Sequence, residues 1–100
     1  MSLREEMMDL KLKELMKRED QYEFPLFMRL VRKTLGLSRK SVAETLAVSE
    51  SKMYYLEDGK FVRGPDPEFI ASLAHYYGLN GRFIMKKFGE YTREKCKAAS

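Results

Sequence analysis

One hundred residues, 44% apolar and 34% charged, suffice for one domain with a modest core and not for two. No apolar run approaches the roughly 18 residues of a membrane span, no secretory signal opens the chain, and the single Cys96 and single His75 argue against a disulfide framework, a metal site or a nucleophile–base pair. The net charge of +4 is uneven: residues 1–24 hold five cations against seven anions, net −2, so the remainder holds +6, a basic body suited to a polyanion. A cytoplasmic, non-catalytic protein with no cofactor, no metal and no membrane partner is expected.

Leu3, Met7, Met8, Leu10, Leu12, Leu15 and Met16 recur at spacings of three and four, which predicts an amphipathic helix over 3–19. Asp9–Lys13 and Glu14–Arg18 support it at i,i+4. Its apolar stripe has no partner within its own segment, so it either folds back on the domain or pairs with a second chain. Gln21 to Pro25 break the pattern, and Pro25 is expected to hold Phe24 extended. A second helix follows from about Leu26 to Leu35, with Phe27, Leu30, Val31 and Leu35 inward. Gly36-Leu37 ends it, the glycine taking a left-handed conformation and the leucine packing back.

Ser38 caps the next helix, which places Val42, Ala43 and Leu46 inward. Ala47-Val48 forms a turn, and Ser49 caps a helix that buries Met53 and Leu56 before Gly59 stops it. Residues 60–64 read as a loop exposing Lys60 and Arg63. Asp66-Pro67-Glu68 then supplies an N-cap, a proline in the first turn and an acid beside it. Ile70, Leu73, Ala74 and Tyr77 follow at i, i+3, i+4 and i+7, with His75 on an exposed flank. Gly78-Leu79 repeats the earlier ending. Asn80 caps a last helix containing Phe83, Ile84 and Phe88, after which Gly89 and a basic tail (Arg93, Lys95, Lys97) are expected to fray. No strand alternation occurs, so the chain is predicted to be all-α.

Two helices separated by three or four residues must cross steeply, which lets the second project from the body. That second helix offers Glu50, Ser51, Lys52, Tyr54 and Tyr55 as polar positions able to meet base edges or phosphates. Of the two tyrosines, Tyr54 is expected on the core and Tyr55 in solvent. The pieces Leu35-Gly36-Leu37-Ser38, Val42-Ala43, Leu46-Ala47-Val48-Ser49, Leu56-Glu57-Asp58-Gly59-Lys60, Pro65 and Leu73-Ala74, at this spacing, resemble the Cro/lambda-repressor-like (XRE-type) helix-turn-helix family over about residues 26–88. The resemblance implies a five-helix lambda-repressor-like domain at residues 25–89. An extra N-terminal amphipathic helix and linker (1–24) and a basic C-terminal tail (90–100) flank it.

The resemblance further implies a sequence-specific transcriptional regulator, a homodimer that reads a palindromic operator in double-stranded DNA by placing helix 50–57 in the major groove. Matched by position, Arg39 touches a phosphate, Glu50, Ser51, Lys52 and Tyr55 face the bases, and Lys60 and Arg63 clamp the backbone. Arg32 and Glu57 match a structural pair joining the domain's first helix to the end of its third. Residue chemistry agrees in part. Helix N-termini at Ser38 and Ser49 suit phosphate oxygens, Lys52 can meet guanine O6 and N7, and Glu50 can accept from cytosine N4. Arg29, Arg32, Lys33, Arg39, Lys40, Lys52, Lys60 and Arg63 would supply the salt-dependent part of affinity.

The sequence departs from the family at Ala47, where glycine is usual, at Arg39, where glutamine is usual, and in loop 60–64, about two residues longer. Helix 50–57 and its exit also set Glu50, Glu57 and Asp58 against Lys52, a local −2. These acids feed an alternative: a protein-interaction module on the same fold, an antitoxin subunit or adaptor, with a protein partner such as a toxin and little DNA affinity.

Overall fold

A computed structural model describes the backbone of residues 3–60 and 66–99 and the side chains of residues 10–60 and 66–94. Among the described residues six α-helices follow in order: α1 (Leu3–Lys17), α2 (Phe24–Thr34), α3 (Arg39–Leu46), α4 (Glu50–Asp58), α5 (Pro67–Tyr77) and α6 (Gly81–Ala99), with one 3₁₀ turn at Glu19–Gln21 after α1. No strand occurs among the described residues, and none of their helices is long and apolar enough to cross a membrane. The chain is all-α.

From α2 to α6 the helices turn apolar side chains inward. Phe27, Met28 and Val31 of α2, Val42 and Ala43 of α3, Met53 and Leu56 of α4, Ile70, Leu73, Ala74 and Tyr77 of α5, and Ile84 and Phe88 of α6 form one buried cluster. Leu35, Leu46 and Phe83 are half-buried against it. Leu12, Leu15 and Met16 also pack on this core, so the second half of α1 folds back in cis while Leu10 stays 62% exposed. Lys87 fastens this arm: its Nζ donates to the carbonyls of Glu19 and Tyr22, both at 2.8 Å, and to the Glu19 carboxylate at 3.1 Å.

Two boundaries differ from expectation. Phe24 is helical rather than extended, because Pro25 lies in the first turn, where its missing N–H would have no intrahelical partner. The Phe24 ring is buried against Phe88 at 5.2 Å and Tyr91 at 6.5 Å, and this burial outweighs the bias set by the proline. At the other end, α6 does not stop at Gly89 but runs to Ala99. A mid-helix glycine costs about 1 kcal/mol relative to alanine, and the packing of Phe88 and Tyr91 on either side of it offsets that cost.

The helix ends repeat one device. Gly36, Ala47, Gly59 and Gly78 are left-handed, with φ of 72°, 56°, 66° and 73°. In each case the following amide donates back across the end: Leu37 to Arg32 O, Val48 to Ala43 O, Lys60 to Tyr55 O and Leu79 to Ala74 O, at 2.9–3.1 Å. Ala47 is the one non-glycine at positive φ among the described residues. Left-handed alanine costs about 1–2 kcal/mol. Ala47→Gly is therefore expected to stabilise the fold by about 1 kcal/mol, read as a higher urea midpoint; an unchanged midpoint would show that the turn is unstrained.

Candidate nucleic-acid interface

The helix starts are capped by side chains. The Ser38 hydroxyl accepts from the Ser41 amide at 3.1 Å and the Ser49 hydroxyl from the Lys52 amide at 3.2 Å. Between α3 and α4 lie only Ala47, Val48 and Ser49, so α4 leaves the body steeply. Met53, Leu56 and Glu57 anchor its inner face, at i, i+3 and i+4, and Glu50, Ser51, Tyr54, Tyr55 and Asp58 are exposed. Tyr54, expected on the core, is 45% exposed and Tyr55 is 56% exposed. With residues 53, 56 and 57 inward, position 54 lies about 100° round the helix from 53, at the rim of the buried face.

Glu57 is 4% exposed and Arg32 is 7% exposed. Arg32 grips the carboxylate twice, from Nε at 2.7 Å and from Nη2 at 3.0 Å, while its Nη1 donates to the Leu37 carbonyl at 2.7 Å. Arg39 adds a third bond, Nε to Glu57 Oε1 at 3.1 Å, and its guanidinium lies 4.1 Å from the Tyr54 ring centroid. Partial burial lowers the Arg39 pKa, but the bond to Glu57 and the contact with Tyr54 outweigh it, so the guanidinium titrates above its ordinary value. Two arginines thus share one carboxylate, and the unit as a whole bears +1. Glu57 therefore does not act as the phosphate-repelling acid counted from the sequence.

Lys52 is half-buried. Its Nζ donates to Asp66 at 3.3 Å and sits 4.8 Å from the Phe69 ring centroid, which ties α4 to the start of α5. The Asp66 carboxyl is held below the usual carboxylate range, first by the Phe69 amide that it caps at 2.8 Å and then by Lys52. Lys40 and Lys60 are exposed and enter no ion pair with another described residue.

A family model described as a helix-turn-helix domain matches residues 23–82, more than half of the chain. The chain belongs to the helix-turn-helix family. No curated protein and no solved structure gives a significant match. The match runs from the residue before α2 to the start of α6, in agreement with the Cro/lambda-repressor-like resemblance, and leaves α1 outside. Helix-turn-helix domains in general belong to DNA-binding regulators.

On this helix-turn-helix frame, Glu50, Ser51 and Tyr55 share the outward side of α4 with Tyr54 and Asp58. Arg39 lies beside them but is engaged with Glu57 and Tyr54. Lys52 leans toward α5, and Lys60 follows the left-handed cap at Gly59. Arg63 lies outside the described residues. The Arg39–Tyr54 stack and the Lys52–Asp66 bridge had no local sequence signal, since the partners lie 15 and 14 residues apart. No group of three or more His, Cys, Asp or Glu side chains among the described residues could hold a metal ion.

Proposed function

We propose that the protein is a sequence-specific DNA-binding transcriptional regulator that lays the outward face of α4 in the major groove and binds a palindromic operator as a homodimer. The observation behind this reading is the surface of α4. Its buried acid is neutralised by Arg32 and Arg39, its exposed face offers Glu50, Ser51, Tyr54 and Tyr55 to base edges, and the exposed Lys40 and Lys60, which pair with no acid among the described residues, are suited to phosphates. Residues 25–89 act as the binding domain, with α1 appended to it.

The test is affinity for mixed-sequence duplex DNA as salt is raised. If Lys40, Lys60 and Arg63 each meet one phosphate in both half-sites, about six counterions are released. Affinity should then fall on the order of 10³-fold between roughly 50 and 200 mM salt. Absence of binding at roughly 50 mM would sink the DNA reading. It would favour a protein partner such as a toxin, to which exposed Glu50 and Asp58 beside two exposed tyrosines are also suited.

A further inference from the structure

Tyr54 departs further from its expected place than any other side chain of α4. Its ring could have filled the core, as a phenol readily does, yet it is 45% exposed. It is also not loose. The Arg39 guanidinium lies over one face at 4.1 Å from the centroid. Arg39 in turn is fixed by its Nε bond to Glu57, 3.1 Å long, and Glu57 is held in the interior by Arg32 at 2.7 and 3.0 Å. A chain of charge-assisted contacts therefore runs from buried α2 through α4 to α3, and ends on an exposed ring back on α4. A side chain fixed in this way has given up its rotamer freedom before a partner arrives, which removes part of the cost of binding.

Resting on the DNA reading above, we propose that Tyr54 is a specificity-determining residue that reads a base pair beside Tyr55, and that Arg39 is its positioning residue. A phenol carries an apolar edge suited to the thymine methyl and a hydroxyl that can donate to or accept from a base edge. A phosphate clamp at Arg39 would act differently: losing it would weaken all duplexes alike and flatten the salt dependence. Losing a positioning residue changes which sequence is preferred.

The experiment is selection from a pool of random duplexes of roughly 20 base pairs, long enough for two half-sites one turn apart. The proteins compared are the full-length chain, Tyr54→Ala, Arg39→Met and the double variant. Arg39→Met keeps the apolar stem, and Glu57 keeps both bonds to Arg32, so the fold is retained; circular dichroism checks this. Tyr54→Ala is expected to lose about tenfold discrimination at one base pair of each half-site. Arg39→Met should lose discrimination at that same pair without lowering the salt slope, and the double variant should do no worse than Tyr54→Ala. The proposal is overturned if Arg39→Met keeps the preference and lowers the slope, or if Tyr54→Ala selects the unaltered site. A full-length chain that selects no sequence at all overturns the DNA reading, and the role of Tyr54 with it.

Discussion

Replacing Glu57 with alanine is expected to cost about 3–5 kcal/mol of folding free energy, because removing one partner of a buried ion pair strands the other charge. Arg32 is 7% exposed and has Glu57 as its only anionic partner among the described residues. Its remaining bond, to the Leu37 carbonyl, does not neutralise it. The surroundings are poorly solvated: burial, and then the Glu57 charge, push the neighbouring Tyr77 phenol well above its ordinary pKa. Domains of this size are stable by about 5–15 kcal/mol, so the loss is a large share of the whole. Replacing both members with apolar residues, Arg32→Met with Glu57→Leu, should recover much of it, since the charge then left without its carboxylate is Arg39, whose side chain reaches solvent and keeps the Tyr54 ring beside it. Urea denaturation of the three proteins reads both effects. A loss below about 1 kcal/mol for Glu57→Ala would mean that the pair is open to water.

The same pair shows where sequence reading succeeds and where it stops. Helix ends are local events. Gly36-Leu37, Gly78-Leu79 and Asp66-Pro67-Glu68 announce themselves within three residues, and Ala47 is left-handed because the spacing of the turn demands it, whatever residue is there. The core of α2 to α5 is legible for the same reason, since its apolar positions follow one helical period.

Partner choice is not local. Counting charges along 50–58 gives an acidic helix; the family resemblance alone brings Glu57 inward to Arg32, 25 residues earlier, and not even that adds Arg39, 18 residues earlier. Arg39 read by position alone is a phosphate contact; in the fold it also holds the Glu57 carboxylate and covers Tyr54. The second half of α6 was hidden likewise. Gly89 looks like a stop, and only the distant Phe24 shows why Phe88 and Tyr91 continue the helix past it.

Tyr91 also gives Gly59 a second reason to be glycine. At φ +66° a side chain at this position is already strained, and a Cβ built there would lie 2.9 Å from Tyr91 Oη and 3.4 Å from Pro25 Cγ. Gly78 provides the control: its φ is +73°, but a Cβ there meets nothing within 4 Å. Gly78→Ala should therefore cost only the left-handed penalty, about 1–2 kcal/mol. Gly59→Ala should cost about 1–3 kcal/mol more, the usual range for overpacking a site that cannot yield freely. The Tyr91 ring resists because it packs 6.5 Å from Phe24, so moving it disturbs the junction of α2 with α6. Tyr91→Phe removes the clashing oxygen and should restore part of the Gly59→Ala loss. Urea midpoints of Gly78→Ala, Gly59→Ala, Tyr91→Phe and the Gly59→Ala, Tyr91→Phe double variant decide the matter. Equal losses at Gly59 and Gly78 would mean that Tyr91 swings aside at no cost, and that α6 does not buttress the end of α4 from which Lys60 is launched.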